Sequence, residues 1–241
     1  GPGDESISIG AAYAEAIKQG MDINKIESIP DAYFGTSYDD TSIERAIEKA
    51  NIKDWTVSKV LPEDLAALLA KGDVIARFAA DKAEFGARSL GNRSIIADPR
   101  RSDVIHHINK LVKMRDFWMP FTPTILDKDF DKYCKNPKNL ESKFMSMAFE
   151  TTLKGKEYLQ AAIHPADFTA RPQMLRKKDN KDYYEIINEF KNLTGVGALL
   201  NTSLNLHGLP VVENVEDAFN VFNKSDLDIL IINKIMFKKL S

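Results

Sequence analysis

The run from Lys82 to Arg100, K-A-E-F-G-A-R-S-L-G-N-R-S-I-I-A-D-P-R, concentrates side chains that bind anions. Its cations are separated by two glycines and by short polar side chains. These residues are Lys82, Arg88, Arg93 and Arg100, with Gly86, Gly91, Asn92 and Ser94 between them. Planar guanidinium donors, and backbone that can approach a ligand closely at glycine, suit a phosphate or carboxylate group. The run therefore predicts an anion-binding site.

A solvated surface loop can carry the same cations without binding anything. The segments on either side argue against that alternative. Residues 74–78 and 94–97 are apolar and predict short buried strands, which would hold the loop on a rigid sheet. Loops that contain Gly and Arg also recur between strands without function, so the run alone does not fix a ligand.

Three further segments carry chemically useful side chains. Residues 115–123, R-D-F-W-M-P-F-T-P, hold Phe117, Trp118 and Phe121, which suit a pocket wall or base stacking but more often pack in a core. Residues 164–173 combine a histidine, a carboxylate, a hydroxyl, a guanidinium and an amide, although a lone histidine is more often structural. Residues 201–210 follow a buried strand, where open sheets bind ligands, but an Asx-rich turn would look similar.

Composition excludes several classes of protein. The net charge of −2 gives no general attraction to nucleic acid or to anionic membranes, so any cationic site must be local. The single cysteine, Cys134, rules out an intrachain disulfide and a cysteine-based zinc cluster, which favours a reducing, cytoplasmic location. No apolar run is long enough to span a bilayer. Neither a P-loop nor a G-x-G-x-x-G sequence nor a metal motif is present.

The hydrophobic pattern predicts interleaved helices and strands, hence an α/β or mixed α+β fold on one open, twisted sheet with flanking helices. An amphipathic helix over residues 4–20 has an apolar face without an evident partner, and residues 21–40 form a connector with a turn at Gly35. Further helices are predicted at 42–50, 61–71, 102–113, 181–192 and 215–222. Strands are predicted at 55–60, 74–78, 94–97, 121–126, 143–149, 198–201, 228–232 and 235–237.

In their order and spacing, the basic run and the polar segments that follow it resemble the C-terminal domain of the NodU/CmcH-type O-carbamoyltransferases. The run E-F-G-A-R-S-L-G-N-R-S-I-I-A-D-P-R is similar to the family's E-F-G-P-R-A-L-G-N-R-S block. Residues 121–123, 164–173 and 200–205 are similar to later blocks, so the resemblance extends from about Val74 to Lys238. The first helix is similar to the end of the actin-like domain that precedes this one in the family. The resemblance thus implies a remnant and connector over residues 1–25 and a YrdC-like domain over 26–241.

The resemblance also implies an activity. In the family, the C-terminal domain makes carbamoyl-adenylate from carbamoyl phosphate and ATP with Mg²⁺. The actin-like domain, which alone holds an iron-type metal, passes the carbamoyl group to an acceptor hydroxyl. The implied partners of this chain are therefore ATP, carbamoyl phosphate and that N-terminal domain, with no membrane and no nucleic acid. The acceptor is not implied.

The resemblance assigns roles to matching positions. Cations are expected to meet phosphate and carbamoyl oxygens, and amides and hydroxyls to orient them or to hydrogen-bond the nucleotide. The expected catalytic residues are Lys82, Arg88, Arg93 and Arg171, and the expected binding residues are Asn92, Ser94, Arg115, His164, Asp167, Asn201, Ser203 and Asn205. His164 and Asp167 are expected mainly to organise the loop that carries Arg171. No metal ligand is expected in this domain.

Several positions depart from the family's blocks. Ala87 and Ser89 replace proline and alanine, Met119 replaces an arginine, and Phe168 replaces a glycine. Residues 80–81, Ala-Asp, stand in place of a common Gln-Gly pair. The last three changes lie near the expected pocket and leave the nucleotide and acceptor details open. Two alternative functions remain open. The chain could be an RNA-binding module with a basic concave face, or a structural or regulatory partner that keeps the fold but has no catalytic activity.

Overall fold

The computed structural model describes residues 6–27, 29–50, 55–113 and 119–240. Its strands, in chain order, are β1 (Trp55–Lys59), β2 (Ile75–Phe78), β3 (Arg93–Ala97), β4 (Thr122–Leu126), β5 (Phe149–Glu150), β6 (Thr169–Ala170), β7 (Gln173–Leu175), β8 (Ala198–Ser203), β9 (Ile229–Ile232) and β10 (Ile235–Lys239). Eight of them form one open sheet in the order β1-β10-β9-β2-β3-β8-β4-β7, while β5 and β6 pair separately. Neighbouring strands are antiparallel except β2 with β9 and β4 with β7.

Eight α-helices accompany the sheet within the described residues. They are α1 (Ile7–Lys18), α2 (Asp40–Lys49), α3 (Pro62–Lys71), α4 (Asp103–Ile108), α5 (Phe130–Tyr133), α6 (Leu153–Tyr158), α7 (Lys181–Thr194) and α8 (Val215–Lys224). The longest, α7, begins where the Asn180 side chain accepts a hydrogen bond from the Tyr183 amide, and it ends at Gly195 in the left-handed conformation. The predicted α/β class with an open sheet and flanking helices is confirmed.

Helices cover both faces of the sheet, which explains why the central strands β2 and β3 are buried at every position. On β3, Ile95 packs into a core on one face, together with residues of α2, α4 and α8. Its neighbour Ile96 packs into a second core on the other face, together with residues of α3 and α7. The hairpin of β2 and β3 thus lies at the centre of the sheet, buried on both sides.

The first helix behaves differently from the rest. It occupies most of the predicted segment 4–20, and none of its residues is buried in the described part of the chain. Ile7 and Ile17 on its apolar face are 66% and 42% exposed. The apolar face predicted to lack a partner is therefore exposed. None of the described helices combines the length and apolar character needed to cross a bilayer.

Two predicted elements differ in the structure. The strand predicted at 143–149 is wrong, because Met145 has a φ of 54° and extended pairing begins only at Phe149. The helix predicted at 102–113 is α-helical only to Ile108 and continues as a π-helix over Asn109–Lys113. Such widened turns often occur at functional sites.

Gly91, which precedes β3, fixes how closely the basic loop approaches α7. Its φ is 122°, a conformation that favours glycine, and a Cβ atom added there would overlap the buried ring of Tyr183. The loop therefore needs glycine for two separate reasons.

Replacing Gly91 with Ala is expected to lower the free energy of unfolding by about 2–4 kcal/mol, because positive φ and overlap with a buried ring both add strain. Gly195→Ala is the matched control, since Gly195 has a φ of 76° and open space around it. This control measures the cost of placing alanine at a positive φ without any steric overlap, about 1 kcal/mol. Urea denaturation of both variants measures the difference, and equal losses would show that the contact with Tyr183 adds nothing.

Candidate anion-binding site

The basic loop is the connection of the central hairpin. Strands β2 and β3 pair antiparallel from Ile75 with Ile96 to Phe78 with Arg93, and the amide of Ala79 donates to the Asn92 carbonyl at 2.8 Å. Residues 79–92 therefore project from the middle of the sheet as a closed loop. This placement agrees with the prediction that flanking strands hold the loop on a sheet.

The carboxylate of Glu84 lies inside this loop and holds its backbone in place through hydrogen bonds. The Glu84 Oε1 atom accepts hydrogen bonds from the backbone amides of Leu90, Asn92 and Arg93, at 2.6, 2.8 and 3.2 Å. The Oε2 atom is buried and has no hydrogen-bond partner among the described residues. Glu84 thereby ties the start of the loop to its end. It was not predicted as a site residue.

The connector before α2 packs along the outside of the loop. Its backbone pairs with the loop through hydrogen bonds from Phe85 to Ala32, from Gly35 to Ala83 and from Tyr38 to Ala80. A Cβ atom at Gly35 would lie 2.7 Å from that of Ala83, so glycine permits the close approach. The loop is thus held from both sides.

A cleft of about 600 Å³ opens between the loop, the end of β8 and the segment before α8. This volume is within the usual range for small-molecule sites. Four predicted residues from distant parts of the chain line it, namely Arg88, Arg93, Ser203 and Asn205. Connector residues, Glu84, Ser89 and residues 209–213 complete the wall. The first and the last polar segments of the sequence therefore meet here.

A smaller polar chamber adjoins this cleft. It is lined by Arg88, Ser89, Pro120, Phe121, Thr122, Met145, Arg171, Asn201, Thr202 and Ser203, together with Ala87. Because Arg88, Ser89 and Ser203 line both spaces, the cleft and the chamber lie next to each other at these residues. The amide of Asn201 is engaged internally, since it accepts from the Ser89 hydroxyl and donates to the Thr124 hydroxyl. It fixes the base of the loop to β8.

Lys113, which was not predicted as a site residue, supports the other wall of the cleft. Its side chain is buried, and its ammonium group donates to the backbone carbonyls of Ser203 and Asn205. It also donates to the Ser203 hydroxyl at 3.2 Å and to Asn205 Oδ1 at 2.6 Å. In the sequence this lysine looked like the end of an ordinary helix. Its partners are 90 and 92 residues away, so no local signal marks it.

Arg93 holds the cleft together more than it projects into it. It is 1% exposed, and its guanidinium lies 3.9 Å from the centre of the Phe78 ring. The same group donates to the carbonyls of Thr36, Asp81 and Glu213, at 3.3–3.4 Å. Burial lowers the pKa of Arg93 to about 10, and the charge of Glu84 opposes that shift. Arg93 thus joins the connector, the loop and the segment before α8.

Lys82 and Asn92 lie on the other side of the loop. They line a second cleft of about 490 Å³, together with Arg77, Lys178 and Lys181. Four carboxylates also line it, those of Asp31, Asp81, Asp179 and Asp182. The structure therefore does not bring Lys82 to the first cleft, and a ligand would have to cross the loop to contact both Lys82 and Arg88.

Other predicted residues lie away from the cleft. Ser94 is fully buried within β3, and Arg100 forms an ion pair at 2.6 Å with the buried carboxylate of Asp98. Arg115, Phe117 and Trp118 fall outside the described residues, whereas Phe121 packs in the core.

The loop before Arg171 is organised by its own side chains. The Asp167 carboxylate accepts from the backbone and the hydroxyl of Thr169, and these bonds lower its pKa. The Nδ1 atom of His164 accepts from the amide of Ala166 at 3.3 Å. Phe168 has a φ of 57°, which explains why glycine suits this position in the family block that the sequence resembles. His164 and Asp167 line neither the cleft nor the chamber.

A cleft lined by guanidinium, hydroxyl and amide groups, and adjoined by a small polar chamber, offers side chains of the kind that hydrogen-bond anionic small molecules. Comparison with known proteins gives the family. The model of the carbamoyltransferase C-terminus matches residues 66–239. The chain belongs to this family of carbamoyltransferases, as the resemblance in its sequence indicated.

Relatives in archaea and bacteria match nearly the whole chain. It is 36% identical to uncharacterized protein MJ1058 of Methanocaldococcus jannaschii, over 98% of this chain and 39% of that protein. It is 34% identical to nodulation protein NolNO of Sinorhizobium fredii, over 98% of this chain and 35% of that protein. Among solved structures, full-length HypF in its phosphate- and nucleotide-bound form has a TM-score of 0.46 at 12% identity, over 74% of this chain and 24% of that one. The chain spans about two fifths of the length of these curated relatives.

Replacing Lys113 with Met keeps the length of the side chain but removes the donor to Ser203 and Asn205. We expect the free energy of unfolding to fall by about 2–4 kcal/mol, since buried oxygens lose a charged partner. Lys110→Met is the matched control, because Lys110 lies on the same π-helix and is exposed. Its effect is expected to stay within about 0.5 kcal/mol. Urea denaturation that gives equal losses for the two variants would contradict a supporting role for Lys113.

Proposed function

We propose that this chain is the adenylating domain of an O-carbamoyltransferase, and that the cleft at the basic loop binds ATP with Mg²⁺ and carbamoyl phosphate. The convergence of Arg88, Ser203 and Asn205 on one cleft carries the proposal. These residues come from two segments more than 100 positions apart in the sequence, and both segments belong to the matched family region. Membership of the carbamoyltransferase family supports group transfer as the class of reaction.

The shape of the site suits two ligands of different size. The larger cleft is lined by the apolar residues Leu209, Pro210 and Val211, which suit a nucleoside, and by cationic and hydroxyl groups, which suit phosphate. The adjoining chamber is small and presents Arg88, Arg171, Thr122 and Ser203, which suit a compact anion such as carbamoyl phosphate. We therefore assign the nucleotide to the cleft and the phosphate group of carbamoyl phosphate to the chamber, with its carbamoyl group directed toward the cleft at Arg88 and Ser203, which line both spaces.

The reaction requires charge stabilisation more than a covalent nucleophile. Loss of phosphate from carbamoyl phosphate, with uptake of water, leaves carbamate. A carbamate oxygen then attacks the α-phosphorus of ATP, the bond to the β-phosphate breaks, and pyrophosphate leaves. Negative charge builds up on the non-bridging and leaving oxygens, and positioned cations lower the barrier. Arg88 and Arg171 are exposed residues that both line the chamber, and they would contact those oxygens.

The carbamoyl group is then passed to an acceptor hydroxyl in a further, actin-like domain. The exposed apolar face of α1 and the short span of the chain relative to its curated relatives agree with such an arrangement. As the family resemblance implies, that domain would hold the metal. Residues of that domain would bind and select the acceptor.

Isothermal titration with ATP and Mg²⁺ tests the nucleotide site. The wild-type chain is expected to bind ATP, and Arg88→Ala is expected to weaken binding roughly 10- to 100-fold, because a charged hydrogen bond contributes about 1.5–3 kcal/mol. Arg45→Ala, an exposed arginine on α2, is the control for loss of one positive charge. Carbamoyl-phosphate-dependent exchange between ATP and pyrophosphate tests the chemistry. Wild-type protein that binds neither ligand would overturn the proposal.

Lys82→Ala distinguishes between the two sides of the loop. The geometry places Lys82 in the second cleft, so its loss is expected to weaken ATP binding less than the loss of Arg88 does. The same titration measures both variants. If Lys82→Ala has the larger effect, the nucleotide crosses the loop and the assignment of ATP to the first cleft is wrong.

A further inference from the structure

One buried acceptor in the cleft wall has no hydrogen-bond partner. Glu84 lines the cleft, and its Oε2 atom is buried without a partner among the described residues. Its Oε1 atom already accepts from three backbone amides of the loop. A buried carboxylate oxygen without a protein donor is costly, which makes it a natural partner for a donor on a ligand.

The other amide and carboxylate side chains of the cleft, those of Asn205 and Glu213, are engaged or solvated. Asn205 Oδ1 accepts from Lys113 and from the Ser203 hydroxyl, and the Asn205 amide group donates to the carbonyls of Leu206 and Leu209. The Glu213 carboxylate is exposed and accepts from the Thr36 hydroxyl at 3.3 Å. Glu84 Oε2 thus differs from both, since it is a buried acceptor without a donor.

The proposed substrates differ in the donors that they bring. The phosphate groups of ATP and of carbamoyl phosphate offer only acceptors, which match the guanidinium and hydroxyl groups of the cleft. The amide nitrogen of a carbamoyl group offers two N–H donors. Acetyl phosphate has nearly the same shape and charge but carries a methyl group in that place. A buried acceptor therefore provides a means of telling the two acyl phosphates apart.

We propose that Glu84 Oε2 accepts an N–H of the carbamoyl group, so that Glu84 selects carbamoyl phosphate over acetyl phosphate. The inference rests on the proposed function, because it assumes that carbamoyl phosphate binds at this cleft. Glu84 then has two roles on its two oxygens. Oε1 holds the loop, and Oε2 recognises the substrate.

Glu84→Gln separates these roles. Its amide oxygen can still accept from the amides of Leu90, Asn92 and Arg93, while an NH₂ group takes the place of Oε2. Affinities for carbamoyl phosphate and for acetyl phosphate are measured by titration in the presence of a non-hydrolysable ATP analogue and Mg²⁺. The wild-type chain is expected to prefer carbamoyl phosphate by roughly 10- to 100-fold, the usual effect of one charged hydrogen bond. In Glu84→Gln that preference is expected to fall to within about threefold, with acetyl phosphate affinity changing little.

The control is Glu213→Gln, which removes a negative charge from the same cleft. It is expected to shift the affinities for both acyl phosphates by the same factor and to leave their ratio at the wild-type value. A Glu84→Gln variant that weakens both ligands equally would overturn the inference, since that result points to the loop or to Mg²⁺. Retention of the wild-type preference would overturn it too.

Affinities of the wild-type chain for the two acyl phosphates test the inference even if Glu84→Gln does not fold. Equal affinity for the two acyl phosphates would overturn the selection by Glu84 while leaving the proposed function intact. A preference for carbamoyl phosphate above about 10-fold supports the selection, because Glu84 Oε2 is the buried acceptor available to its N–H groups among the described lining residues. Absence of carbamoyl phosphate binding would overturn both proposals together.

Discussion

The site depends on one carboxylate placed inside a loop of backbone amides. Glu84 gathers the amides of Leu90, Asn92 and Arg93, and it is also a negative charge close to two buried guanidinium groups, those of Arg77 and Arg93. Burial lowers the pKa of both arginines, and Glu84 opposes the shift in each case. Without it, the repulsion between these two buried cations would be uncompensated by Glu84, and the loop would lack its internal hydrogen bonds.

The cations of the basic run at residues 82–100 lie in different surroundings and therefore differ in role. Arg88 is exposed and lines both the cleft and the chamber, whereas Arg93 is buried and ties three segments together. Arg100 pairs with Asp98, and Lys82 lies across the loop. Identical charges that are close in sequence therefore need not share a ligand. Burial and local backbone geometry determine which of them can reach the cleft.

The sequence predicted what depends on local pattern. Apolar runs at 74–78 and 94–97 predicted the two central strands β2 and β3, and the helix predicted at 181–192 corresponds to α7. The sequence could not reveal Lys113, because its partners Ser203 and Asn205 become neighbours only when β8 and the π-helix pack together. It also misplaced a strand at 143–149, because hydrophobic alternation does not show that Met145 adopts a positive φ.

The cations at the cleft are of two kinds, one that lines it and is exposed and one that is buried in or behind its walls, and the proposed function would use them differently. Arg93 and Lys113 are buried and held by carbonyl, hydroxyl and amide oxygens, so neither can move far toward a ligand. Their charges are nevertheless fixed at the wall and are weakly screened by water. Arg88 is exposed and can make direct contact. Fixed charges need no reorganisation as charge develops on a substrate. Under the proposed function, Lys113 would supply such a fixed charge, Arg93 would do so to the extent that Glu84 does not offset it, and Arg88 would make the direct contact.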